Sequence, residues 1–166
     1  MPFDTHLSRG HPIVFGLLAF FSFVLMIQAA VLVSSYNRHD DYPSSSLKDR
    51  IRFLLFVSIW TLFFSIAYIV GFLNAATSFL FSIASHAAWL FITWIFWLAG
   101  AAAITNTLGG GLNCDVYPGA HCNQLNAAEA FAWINWILAT FAFAVILFVG
   151  ARSARSGNGF GTALIA

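Results

Sequence analysis

Two cysteines near the end of a long apolar stretch are the residues of this chain with the clearest chemistry. Cys114 and Cys122 enclose the segment CDVYPGAHC, in which a Pro-Gly pair favours a turn between the two thiols. Such a turn brings the two Cα atoms within reach of a disulfide bond. Because the chain has no CxxC sequence, the spacing favours a structural disulfide over a redox-active pair.

The same loop offers an alternative, a metal site made by Cys114, Asp115, His121 and Cys122. Structural zinc sites are usually built on a C-x₂₋₄-C spacing. The two cysteines here have seven residues between them, which is wider than that pattern. We therefore expect a disulfide and no bound metal.

Glu129 is an acidic residue beside an apolar span, where carboxylates are often functional. Asn126, three residues earlier, favours a capping box in which Glu129 stabilises the start of a helix. A proton or ion relay is the alternative. Trp133, Trp136 and Thr140 share the helical face of Glu129. This stripe faces a neighbouring helix, another subunit or a lipid headgroup, and its periodicity does not distinguish among them.

Tryptophans recur in the apolar run before the cysteine loop. Tryptophan concentrates at membrane interfaces, so anchoring and interhelix packing are the ordinary expectation. Trp94 and Trp97 lie too deep in their run for an anchoring role alone. We therefore include them in a candidate helix-packing or lipid-contact stripe, with sterol contact as an alternative. The single polar residues Gln28 and His86 predict interhelix hydrogen bonds.

Four apolar runs must position these residues. The chain is 60% hydrophobic and 8% charged, whereas globular chains carry roughly 25% charged residues. It therefore lacks the polar residues to cover a water-facing surface. The runs lie at about 12–35, 51–73, 79–105 and 127–150, and each is long enough to cross a hydrocarbon layer of about 30 Å. The first is too long for the apolar core of a cleaved signal peptide.

The runs predict an all-α fold, a bundle of four transmembrane helices that spans residues 12–150. The short link after the second run makes the second and third helices antiparallel neighbours. We expect up-down-up-down order with both termini on one side. A disulfide requires an oxidising compartment, so residues 1–11 are expected to be a cytosolic tail. Residues 151–166, rich in Gly and Ser, are expected to be flexible.

Positive charge collects at the start of the second run, at Lys48, Arg50 and Arg52. Long cationic side chains at a span end usually snorkel toward lipid headgroups, so we interpret these three as headgroup anchors. The formal net charge is only +1, which argues against nucleic acid as a partner.

The layout resembles the MARVEL-domain tetraspan proteins, particularly the small fungal type. The clearest local matches are FWLAGAAAITNTLGGGLNC at 96–114 and CNQLNAAEAFAWINW at 122–136. The resemblance implies a multi-pass protein with cytosolic termini and with Cys114 and Cys122 in a luminal or extracellular loop. It also implies a plasma-membrane, vesicle or membrane-apposition location in a eukaryotic cell.

These observations predict a non-enzymatic membrane protein that organises or scaffolds membrane. Its expected partners are membrane lipids, including sterol, and a second copy or a lateral partner protein, with no cofactor. The alternative is a subunit of a channel or transporter whose path is lined by Gln28, His86, Glu129 or Asn135. An enzyme is the least favoured class, because paired carboxylates, HExxH and a nucleophile elbow are all missing from the sequence.

Overall fold

The computed structural model describes residues 2–39, 42–74, 83–117, 119 and 121–155. Within these residues it contains four helices and no strand. They are α1 (Pro2–His39), α2 (Ser45–Leu73), α3 (Ile83–Leu108) and α4 (Cys122–Arg155). Each is long and apolar enough to cross a membrane. The predicted all-α fold with four membrane-length helices is confirmed.

The helices continue beyond the apolar runs that predicted them. α1 begins at Pro2 instead of residue 12, and α4 begins at Cys122 instead of residue 127 and ends at Arg155. Backbone hydrogen bonding does not stop where hydrophobicity does, because polar residues outside the hydrocarbon can extend a helix that is already formed. The predicted start of the third helix at 79 and the tail segment 156–166 lie outside the described residues.

The four helices form a ring in which α1 packs on α2 and α4, and α3 packs on the same two helices. Hydrogen bonds give the directions. Ser22 bonds to Asn135 and Ser35 to His121, so α4 runs opposite to α1. Trp60 bonds to Thr93 and Tyr68 to Ser85, so α3 runs opposite to α2. Trp94 bonds to Thr140 and Trp133 to Thr105, so α4 also runs opposite to α3. The order is therefore up-down-up-down, and both ends of the described chain lie at one end of the bundle.

The buried face of each helix follows a repeat that alternates three and four residues. On α1 this face consists of Phe15, Leu18, Ser22, Leu25, Ala29, Leu32 and Tyr36. The spacing is typical of helices that pack with knobs in holes at small crossing angles. α2 and α3 also approach closely, since a Cβ on Gly100 would lie 2.8 Å from Cδ2 of Leu54.

Capping interactions define the start of α2 and the end of α3. Ser44 Oγ accepts a hydrogen bond from the Leu47 N–H at 3.1 Å, which caps the start of α2. At the end of α3, Gly109 has a φ of 70°, and the Gly110 N–H donates to the Thr105 carbonyl at 3.0 Å. This 6→1 bond is a Schellman motif, and it requires a residue that tolerates positive φ. The chain thereby leaves α3 and enters the cysteine loop.

Candidate functional site: the cap loop and the polar contacts of α3

We call residues 109–121, between α3 and α4, the cap loop. Cys114 and Cys122 are joined by a disulfide with a Cα–Cα distance of 5.6 Å, so the predicted pairing is confirmed. Both Sγ atoms are bonded to each other, and the alternative metal set with Asp115 and His121 is not assembled. Among the described residues no group of three or more His, Cys, Asp or Glu side chains is placed to hold a metal ion.

The cap loop is fastened to the bundle on two sides. The Asn126 amide of α4 accepts from the Leu112 N–H and donates to the Leu112 carbonyl, each at 2.8 Å. His121 is hydrogen-bonded to Ser35 Oγ of α1 at 3.0 Å, and its ring contacts Tyr36 edge-on. The loop therefore joins α4, through the disulfide and Asn126, to the end of α1.

The predicted capping box of Asn126 and Glu129 is wrong. α4 already begins at Cys122, so Asn126 lies inside the helix and bonds to the cap loop. Glu129 is buried, and its Oε1 accepts a hydrogen bond from Thr105 Oγ1 of α3 at 2.7 Å. The sequence pattern misled because a capping box and an internal Asn-x-x-Glu look the same until the first helical residue is known.

The stripe of Glu129, Trp133, Trp136 and Thr140 lies against α3. Trp133 Nε1 donates to Thr105 Oγ1 at 2.9 Å, the same hydroxyl that donates to Glu129. Trp94 Nε1 of α3 donates to Thr140 Oγ1 at 2.8 Å. The rings of Trp94 and Trp136 lie 6.3 Å apart. The stripe therefore contacts the neighbouring helix α3, and its contact with another subunit or a lipid headgroup stays a prediction.

Trp97 does not join the other stripe residues, because it turns toward α2. Its side chain is fully buried, and Nε1 donates to Thr61 Oγ1 at 3.0 Å. In return, Trp60 Nε1 of α2 donates to Thr93 Oγ1 of α3 at 3.1 Å. α2 and α3 are thus joined by a reciprocal pair of indole–threonine hydrogen bonds.

A second reciprocal pair joins α3 to α4, through Trp94 to Thr140 and Trp133 to Thr105. Four of the six tryptophans therefore bond to a threonine on an adjacent helix. Sequence reasoning missed the threonine partners. The available signal was the direct adjacency of the two residue types, in Trp60-Thr61 and again in Thr93-Trp94.

The three predicted headgroup anchors all have protein partners. Lys48 Nζ lies 4.4 Å from the ring centroid of Tyr42. Arg52 contacts Asp49 and also donates to Asn37 of α1 at 3.2 Å. Arg50 donates to the Ala103 carbonyl of α3 and, at 3.0 Å, to Ser46. Their action on headgroups stays a prediction.

The remaining polar candidates lie in separate places. Asn135 is fully buried and accepts from Ser22 of α1 at 3.0 Å, on a different face from Glu129. His86 is buried near the opposite end of the bundle, 4.1 Å from the ring of Tyr68. The side-chain oxygen of Gln28 is buried and has no hydrogen-bond partner among the described residues. These groups do not assemble one site.

Comparison with known proteins gives one match. The family model of the MARVEL domain, described as a membrane-associating domain, matches residues 12–149 and so covers all four apolar helices. No curated protein and no solved structure matches the chain.

Proposed function

The chain belongs to the MARVEL family of membrane-associating domains, and from that premise we propose that it organises membrane by lateral association, without catalysing a reaction. It is an integral, multi-pass membrane protein with four membrane-length apolar helices. The family description specifies membrane association and no reaction. The proposed location is the plasma membrane or secretory vesicles, and the resemblance to small fungal members supports it.

The observation that carries the proposal is the division between the inside and the outside of the bundle. Inside, the indole, hydroxyl, amide and carboxyl groups described above bond mostly to one another. Outside, all four helices present large apolar side chains, for example Phe20, Phe63, Ile95 and Phe141. A surface of this kind interacts by packing against lipid chains or against other helices.

We assign lateral association to α3 and α4, because their outward faces contain small residues. Ala99 and Ala102 of α3 and Ala130 and Ala144 of α4 are exposed. Small outward residues allow another helix to approach closely in a membrane. The outward face of α2 is built from larger side chains, namely Phe56, Ile59, Phe63, Ile66, Val70 and Leu73. The proposed occupant is a second copy of the chain or a lateral partner helix.

The disulfide supports the proposed orientation. Structural disulfides persist in oxidising compartments, so the cap loop is assigned to the luminal or extracellular side. The up-down-up-down order then places both chain ends in the cytosol. Labelling of single-cysteine variants with an impermeant maleimide tests this assignment. A cap loop that is unlabelled in intact cells but labelled once the plasma membrane alone is permeabilised, with internal membranes closed, would contradict it.

Lateral association is tested with the full chain in nanodiscs or proteoliposomes, by energy transfer between labelled copies during a lipid dilution series. We expect a concentration-dependent association that Ala102→Trp weakens about tenfold by blocking close approach. Val70→Trp on the outward face of α2 is the matched control and should leave association unchanged. A strictly monomeric protein at every lipid dilution would contradict the proposal.

A channel or transporter subunit is the second candidate, and polar atoms between α1 and α4 favour it. Phe21 contacts Phe131 across this seam, and Gln28 and Gln124 lie one heptad away on their respective helices. The buried side-chain oxygens of both glutamines lack a partner among the described residues. Ser22 and Asn135 bond on the same seam. Solute flux in proteoliposomes that Asn135→Leu abolishes would support this function, and absence of flux would remove it.

A further inference from the structure

The ring of four helices closes between α1 and α4, the two neighbouring helices that no loop connects. Every other pair of adjacent helices is consecutive in the chain. The α1–α4 seam is therefore held by noncovalent contacts and by the cap loop, which is joined to α4 through the disulfide and to α1 through Ser35. Consequently α1 and α4 can separate while each pair of consecutive helices stays together.

The α2–α3 seam, on the opposite side of the ring, is fastened along its length. Trp60 and Trp97 form the reciprocal indole–threonine pair near its middle. Toward the cap-loop end Arg50 donates to an α3 carbonyl, and toward the other end Tyr68 bonds to Ser85. Bonds at both ends and in the middle keep α2 beside α3, so this seam is suited to act as a hinge.

Two glutamines on the α1–α4 seam are buried without hydrogen-bond partners for their oxygens. Gln28 lies one heptad from both Phe21 and Ser35, which contact α4. Gln124 lies one heptad from Phe131, the α4 partner of Phe21. The side-chain oxygens of both glutamines are buried and have no partner among the described residues. Because a buried amide oxygen without a partner is costly, both groups favour a seam that admits water.

His121 closes the cap-loop end of the same seam. It directly precedes α4 and is hydrogen-bonded to Ser35 Oγ of α1 at 3.0 Å. We call this hydrogen bond the latch. The φ of His121 is 68°, and it is the one non-glycine residue with positive φ in the part of the chain that the structure describes. Glycine adopts this conformation without the steric cost that a Cβ brings. The strained residue is thus the one whose ring holds α1, a combination that points to a functional contact.

We propose that the α1–α4 seam is a gate, which opens at the cap-loop end when the latch is released and turns on the α2–α3 seam. α4 has 34 residues and is about 51 Å long, compared with about 30 Å of hydrocarbon. Gln124 lies in its first turn, so this end of the seam reaches the hydrated headgroup layer. In the closed state the latch offsets the buried glutamine oxygens, and in the open state water solvates them.

The test measures both seams in nanodiscs that contain one copy of the full chain, by electron–electron resonance between spin labels with the disulfide intact. Labels at Val31 and Asn123 span the α1–α4 seam near the cap loop, and labels at Asp49 and Asn106 span the α2–α3 seam at the same end. All four positions are exposed. We expect a closed and an open distance for the first pair and one distance for the second. A single distance for the first pair in the wild type and in the latch variants would overturn the proposal.

Release of the latch should raise the open-to-closed ratio. His121→Gly removes the ring and keeps a residue that accepts positive φ, whereas Ser35→Ala removes the hydroxyl and leaves the cap loop unaltered. Each should raise the ratio about fivefold, the effect of losing one hydrogen bond on an equilibrium constant. Asn37→Ala breaks the bond between α1 and Arg52 of α2 at the same end, so it is the matched control and should leave the ratio unchanged. An unchanged ratio in both latch variants would overturn the gate.

Replacing the glutamines should change the ratio in the opposite direction. Methionine has nearly the shape of glutamine but no amide, so Gln28→Met and Gln124→Met bury no unpaired oxygen in the closed seam. Each should lower the open-to-closed ratio about fivefold. A ratio that stays the same or rises would contradict the part assigned to the glutamines.

The α2–α3 labels distinguish a gate from general loosening of the bundle. Loosening would widen both seams in every variant, and equal widening of the α2–α3 pair would overturn the hinge. The gate lies within one copy of the chain and is measured without a second copy. This proposal and lateral association therefore fail separately.

Discussion

α1 packs most extensively against α2. α3, in contrast, forms side-chain hydrogen bonds with both of its neighbours, α2 and α4. Among the described residues a single side-chain hydrogen bond joins α1 to α2, between Asn37 and Arg52 in an exposed position. α3 is instead bonded to each neighbour by a reciprocal pair of tryptophan–threonine contacts. The two helices lie at opposite corners of one bundle and are held by different interactions.

The difference separates two kinds of interaction between helices in lipid, namely close apolar packing and directional hydrogen bonds. Acyl chains are as apolar as leucine, so burying a leucine against another helix gains shape complementarity and dispersion more than transfer from water. α1 depends on this complementarity where it packs against α2. Hydrogen bonds are directional, and the four indole–threonine bonds fix how α3 is rotated about its axis.

The largest expected effect comes from truncating a buried apolar side chain of α1. Leu25 is fully buried, and Leu25→Ala should lower the free energy of unfolding by about 2–5 kcal/mol because the cavity stays unfilled. Thermal or denaturant unfolding in micelles measures the change. Ile27→Ala on the outward face, where Ile27 is 47% exposed, is the control and should cost much less. Equal costs at the two positions would mean that α1 is not held by close packing.

The disulfide provides the next largest effect. Replacing Cys114 and Cys122 together by serine should lower the free energy of unfolding by roughly 2–3 kcal/mol, the entropy of closing a loop of this size. It should also loosen the contact of His121 with Ser35, so that a spin label on α1 near Tyr36 gains mobility. Reduction of the wild-type protein is the matched comparison. Unchanged stability in both would show that the hydrogen bonds of Asn126 and His121 hold the cap loop without the disulfide.

Deletion of a hydroxyl at the α2–α3 contact should have the smallest effect. Thr61→Val keeps the shape of the side chain but leaves Trp97 Nε1 buried without its partner, at an expected cost of about 0.6–1.7 kcal/mol. Thr107 bonds to the Ala103 carbonyl of its own helix, so Thr107→Val is the control and should cost less. A double-mutant cycle with Trp97→Phe isolates the pair. A coupling energy of zero would mean that the Trp97–Thr61 hydrogen bond does not stabilise the bundle, and that α3 is held by packing as α1 is.

The sequence alone determined the features that depend on composition and local spacing. Four spans follow from length and apolarity, because nothing but a helix satisfies its own backbone inside a bilayer. The Cys114–Cys122 disulfide follows from a turn within a short loop. The MARVEL family follows from the four-span layout together with the segments 96–114 and 122–136. The separation of Asn135 from the Glu129 stripe was also readable, since helical periodicity fixes angles within one helix.

Only the tertiary structure decided which faces meet. The spans are apolar nearly all round, so their sequences do not encode how each helix is rotated against its neighbours. Trp97 therefore had no assigned partner until α2 brought Thr61 to it, and Glu129 seemed to cap a helix until α3 brought Thr105. The start of α4 at Cys122 was hidden for a related reason, because the disulfide and Asn126 hold polar residues in a helix that hydrophobicity alone would have begun later.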